Sequence, residues 1–211
     1  MKVYLEVGAK RVFAGALDWP GWSRSGRDEE AALATLVAYR DRYAAVVADR
    51  RLPTTKGLAG LDVVERVKGN ATTDFGAPGI VPASDRAAIT EAELELWLAI
   101  LGRCWSAFEA AVRTATGRQL ATGPRGGGRS ASAIAEHVEG AHAAYARQVG
   151  GSDGFDEAVR ARWRGELPER GPRGGERWPP RYAIRRAAWH ILDHAWEIED
   201  RLSPAGRLSP R

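Results

Sequence analysis

Apolar and polar positions alternate from the start of the chain. Val3, Leu5 and Val7 interleave with Lys2, Tyr4 and Glu6, and after a turn at Gly8-Ala9-Lys10 a second run, RVFAGAL, continues to Leu17. A period of two in both runs predicts a β-hairpin. Asp18-Trp19-Pro20-Gly21-Trp22 ends the second strand, because proline has no N–H and glycine tolerates positive φ. The period then lengthens: Leu33, Leu36, Val37 and Tyr43-Ala44 share one helical face through about Val47. Ser25 or Asp28 can cap that helix, and Glu29 and Glu30 fall in its first turn, where the dipole favours acids. LDVVERV, Leu61 to Val67, reads as a third strand.

The stretch GNATTDFGAPGIVPASDRAAI carries no period and is rich in Gly, Pro, Thr and Asp, which predicts a linker over 71–89. Beyond it the pattern is helical. Thr90 with Glu93 three residues on has the spacing of a capping box, and Leu94, Leu98, Leu101, Trp105, Phe108 and Val112 step along one face. A second helix spans Ser130 to Val149 with Ile134, Val138, Ala141, Tyr145 and Val149 as its stripe, and a shorter one covers Asp156 to Arg164. After a loop with a Pro-Pro stop, Tyr182 to Leu202 forms the last helix. Four helices of uneven length predict a bundle, so the expected class is α+β, a small ββαβ domain followed by an all-α bundle. The expected organisation is 1–70 for the first domain, 71–89 for the linker, 90–202 for the bundle and 203–211 for a C-terminal tail.

Composition narrows this picture only slightly. With 211 residues, 44% hydrophobic and 27% charged, the chain is an ordinary folded protein. The N-terminus lacks the apolar core of a signal peptide and no apolar run reaches membrane-spanning length, so a cytoplasmic protein with no membrane partner is expected. Its single cysteine, Cys104, excludes an intramolecular disulfide, and mid-helix beside Trp105 it has the setting of a small buried residue. The net charge is +4, carried mostly by arginine. Arginines crowd between Arg160 and Arg186, but Glu166, Glu169 and Glu176 are interleaved with them, which argues against a nucleic-acid stripe.

Four histidines, all after residue 136, hold the candidate chemistry. His190 and His194 are one turn apart on the last helix, where both imidazoles can reach one ion. On a helical wheel their midpoint lies about 120° from the apolar stripe, so they are expected to flank the core. Asp193 and Glu197 lie near the same side as acceptors that would orient the rings. A third ligand is needed, and the second bundle helix offers His137 or His142, whose directions differ by about 140°. Spacing alone leaves that choice open. Tyr182 and Arg186 precede His190 on a side that can face the same pocket, and arginine there can hold a carboxylate substrate or serve as a surface ion-pair partner. Trp189 and Trp196, with Trp97 and Trp105, read as core, whereas Trp19, Trp22, Trp163 and Trp178 sit in or near loops between the two parts.

Two family resemblances bear on these residues. The hairpin, the FAGALDWPGW turn and the helix start SGRDEEAALATL resemble the small ββαβ domain of HicB-like antitoxin proteins over about the first 70 residues. The residues that follow lack the ribbon-helix-helix pattern with which some of that family bind DNA, so the resemblance implies a structural or partner-docking module. Residues 90–202 resemble the DinB-like four-helix-bundle superfamily, whose members bind a divalent metal through one histidine of the second helix and an HxxxH pair of the last. In SAIAEHVEGAHAAYARQVG the family's histidine falls on His137, and in WHILDHAWEIEDRL the pair falls on His190 and His194, leaving His142 as a bystander. The resemblance implies zinc, nickel or iron, and a thiol-dependent transferase or isomerase acting on a small molecule with a cosubstrate such as mycothiol or bacillithiol. The alternative is a non-catalytic, toxin–antitoxin-like interaction protein in which the first domain docks a partner and the bundle forms a homodimer.

Overall fold

A computed structural model describes residues 1–49, 51–53, 57–123, 128–152 and 154–202; the expected tail, 203–211, lies outside the described residues. The protein is mixed α+β, a four-stranded sheet followed by mostly helices. Strands β1 (Lys2–Val7), β2 (Val12–Ala16), β3 (Ser23–Gly26) and β4 (Asp62–Lys68) lie in the order β3-β2-β1-β4. The first three are antiparallel neighbours, and β4 runs parallel to β1. A parallel return needs a crossover, which helices α1 (Glu29–Ala38) and α2 (Arg40–Val47) supply.

Two elements depart from the expected ββαβ order. The short strand β3 has the composition SRSG, with no apolar alternation to announce it, and is held by its register on β2. The expected single helix breaks at Tyr39, whose ψ of 2° leaves the helical range. The break turns α2 toward α7, where Arg42 pairs with Glu199 and Asp200. Asp28, not Ser25, caps α1 by accepting the Ala31 N–H.

The hairpin alternation forecasts one buried face, yet both are buried in β1 and β2. Val3, Leu5 and Ala14 join the same core as Ala32 and Leu36 of α1. Tyr4, Glu6 and Phe13 turn the other way, where Phe13 meets Trp189 of α7 edge-on. Glu6 is fully buried and accepts from Thr73 Oγ1 at 2.5 Å and from the N–H groups of Gly79 and Ile80. Burial pushes its carboxyl pKa up, against these hydrogen bonds. Residues expected as linker thus carry defined structure: helix α3 (Ala71–Phe75), closed by an Asn70–Thr73 capping box, and a single 3-10 turn at Ala83–Arg86. Glu65 of β4 caps that turn by accepting from Ala83 and Ser84.

Helices α4 (Glu91–Ala115), α5 (Ala131–Val149), α6 (Phe155–Trp163) and α7 (Pro180–Leu202) fall close to the expected bounds. The Thr90–Glu93 capping box forms, and Ser130 caps α5. Of the Pro-Pro pair, Pro179 lies outside the last helix and Pro180 begins it, because the first helical position has no N–H bond to lose. Helix α7 is the axis of the packing. It lies along α4, contacts α5 and α6, and faces the sheet, so Ile184, Ile191, Leu192 and Ile198 are buried with Leu94 and Leu101 of α4 and Ile134 and Val138 of α5. The core runs without interruption from these residues into Val3 and Leu5 of the sheet. Gly21, at φ +91°, brings the turn before β3 against α7: a Cβ there would sit 3.0 Å from that of Ala188. Among the described residues no helix is long and apolar enough to cross a membrane.

Candidate metal centre

Helices α5 and α7 bring His137, His190 and His194 together. Their ligand-capable nitrogens lie within 4.8 Å of one another, and His190 Nε2 is 3.2 Å from His137 Nε2. Two nitrogens on one zinc-like ion at about 2.05 Å and tetrahedral angles are separated by about 3.4 Å, so this edge already has the required length. The three residues lie close enough to hold a metal ion, and three imidazoles suit zinc, nickel and iron alike.

The wheel placed the α7 pair on the flank of the core; the structure buries it, with His190 8% and His194 6% exposed. The wheel counts one packed face, whereas α7 is packed on several sides. His137 is exposed, so the cluster opens to solvent on the α5 side.

Glu197 supplies the orienting group. Its Oε2 lies 2.8 Å from His194 Nδ1 and its Oε1 accepts from Arg201 Nη1 at 2.8 Å. Buried Arg201 is fixed in turn by donating to the carbonyls of Ala121 and Arg129. The hydrogen bond to His194 holds the Glu197 pKa down to about 2, so the carboxylate is ionised and can only accept. A neutral His194 ring that donates through Nδ1 to this carboxylate presents its Nε2 lone pair to an ion. Burial, then the neighbouring His194 and Arg186, pushes the His190 pKa down to about 2. Burial and His194 lower that of His137. Neutral rings are the form a metal requires. Glu197→Gln should weaken zinc binding by at least about tenfold in a chelator-competition titration, the usual cost of losing a carboxylate behind a ligating histidine.

The other expected residues take distinct places. Asp193 Oδ1 accepts from Arg24 of β3 at 3.0 Å. His142 packs between Trp105 and Phe155, where burial lowers its pKa to about 4. Cys104 is fully buried and its thiol pKa is pushed up, which keeps it from acting as a thiolate. Tyr182 is buried edge-on to Trp178, and the Arg186 guanidinium lies over the rings of Tyr145 and Trp189. Tyr145, which the pattern placed only in the α5 stripe, stands 5.7 Å ring to ring from His190. It lies eight residues after His137, about 80° round α5, so the wheel gave little signal for this contact. Compared with protein-family models, with curated proteins and with solved structures, the chain matches none of them.

Proposed function

We propose that this chain is a divalent-metal-binding protein of the DinB-like class, and that it acts on a small molecule as a thiol-dependent transferase or isomerase. The observation that carries the reading is the convergence of His137, His190 and His194 with Glu197 behind His194. The resemblance of residues 90–202 supports the same three ligands. A bound divalent ion would supply Lewis acidity, lowering the pKa of a thiol or water at its open position. Glu197, itself held by Arg201, fixes the orientation of the His194 ring. Trp189 and Tyr145 wall the buried side near His190, and exposed His137 leaves the approach open. Residues 1–70, resembling HicB-like domains, serve in this reading as a structural or partner-docking module.

Elemental analysis of protein purified without a histidine tag tests the metal. About one ion per chain is expected of a three-histidine site, and less than about 0.2 would overturn the reading. Thiol chemistry is tested by mixing metal-loaded protein with a low-molecular-weight thiol and a chloronitrobenzene acceptor. Consumption of both above the rate with chelated protein is expected. Equal rates across mycothiol, bacillithiol and glutathione, with and without metal, would overturn the transferase assignment.

A further inference from the structure

We propose that Arg186 is the substrate-binding residue of the three-histidine centre, and that it selects a small carboxylate carrying a second donor group. This rests on the metal-binding reading above. Arg186 lies one turn before His190 on α7, and residues four apart on a helix share a face. Two aromatic faces hold its guanidinium: Cζ is 4.6 Å from the Trp189 ring centroid and 5.3 Å from that of Tyr145. Tyr145 in turn contacts the His190 ring. The cation is therefore fixed beside the cluster.

One of its donor nitrogens is unspent. Arg186 Nη1 is buried and makes no hydrogen bond among the described residues. The other arginines clustered on α7 are matched: Arg185 with Asp85, Arg201 with Glu197, and Arg181 with Glu93. Glu6, the sheet carboxylate on which the Arg186 charge acts, is already engaged by Thr73, Gly79 and Ile80. A buried donor without a partner is costly, and a ligand that brings the acceptor removes that cost. Arg129 adds a second positive charge acting on His137 and His190, so the surroundings favour an anion. A single guanidinium fork between aromatic rings matches a planar, singly charged carboxylate.

Cobalt(II) makes this measurable, because its visible spectrum reports occupancy and a thiolate bound to it adds a charge-transfer band. Wild-type, Arg186→Gln and Arg186→Lys proteins are loaded with cobalt and titrated with 3-mercaptopropionate and with 3-mercapto-1-propanol, which differ only in the carboxylate. Wild-type protein should bind the carboxylate at least about tenfold more tightly, the worth of a charge-assisted hydrogen-bonded pair. Arg186→Gln should erase that preference while taking up cobalt as before, and Arg186→Lys should restore part of it. A preference that survives Arg186→Gln would mean the carboxylate chelates the metal directly, and would overturn the proposal. So would the absence of any preference in cobalt-loaded wild-type protein. Failure of all three proteins to take up cobalt would instead defeat the metal-binding reading, and this inference with it.

Discussion

Replacing His190 with alanine is expected to abolish stoichiometric metal binding, and with it the rise in melting temperature that metal confers. A ligand that binds only the folded chain stabilises it by about 2.7 kcal/mol at a free concentration of 100 Kd. For a chain of this size about 2–4 °C accompanies each kcal/mol, so zinc should raise the wild-type midpoint by about 5–11 °C in a thermal scan. His190→Ala leaves two imidazoles from different helices, too few for a specific site, and its midpoint should not move. His142→Ala is the matched control, since that ring packs between Trp105 and Phe155, and it should keep the full shift. A wild-type shift retained by His190→Ala would place the ion elsewhere. The metal-free protein carries a second signature of the same residue. The folded-state pKa of His190 is pushed from 6.5 down to about 2, so below pH 6.5 the unfolded chain binds a proton that the fold refuses. Stability contributed by the neutral ring is thus present above pH 6.5 and lost as pH falls toward 2, at up to about 1.4 kcal/mol per unit. In chelator, His190→Ala should show a flatter decline of stability between pH 6.5 and 4.5 than wild type.

The parts of this architecture that were legible in the sequence are those written in a single element. The capping box at Thr90 and Glu93, the stripe Leu94, Leu98 and Leu101, and the run Leu61 to Val67 each specify local structure, and each element formed, the strand at Asp62–Lys68. The pair His190 and His194 was legible for the same reason, because four residues on a helix fix their relation. Its burial was not, since that depends on how many neighbours surround α7. The choice between His137 and His142 was also undetermined by spacing. His137 entered through a family resemblance, and its 3.2 Å approach to His190 is a matter of how α5 lies on α7. Partners distant in the chain were invisible for a related reason. Glu6 looks like an outward strand residue until Gly79 and Ile80 return to meet it. Asp85, in a stretch without period, gave no hint that it would be almost fully buried 100 positions from its partner.

That buried pair supports the second large effect: Asp85→Ala should lower stability by about 3–5 kcal/mol, because it strands a charge in the interior. Arg185 is 4% and Asp85 1% exposed, and they form a two-point contact with Arg185 Nε 2.9 Å from Oδ2 and Nη2 2.8 Å from Oδ1. The remaining donors of Arg185 go to the carbonyls of Ala16 and Leu17 at the end of β2, and its guanidinium lies near the rings of Tyr4 and Trp97. One side chain therefore joins α7, the sheet and the segment after β4. At about 2–4 °C per kcal/mol the melting midpoint should fall by about 6–20 °C. The partner substitution separates charge from contact. Arg185→Met alone strands Asp85, whereas Arg185→Met with Asp85→Leu strands neither, so the double variant should be more stable than the sum of the single losses by up to about 3 kcal/mol. It will not regain wild-type stability, because the carbonyls of Ala16 and Leu17 lose their donors. Additive losses would show that the pair acts only as two independent packing groups. The histidines lie on the side of α7 that meets α5, apart from this contact with the sheet, so Asp85→Ala should keep a metal-dependent rise in midpoint from its lowered base. Loss of that rise together with stability would show that the position of α7 against the sheet also sets the geometry of the three histidines.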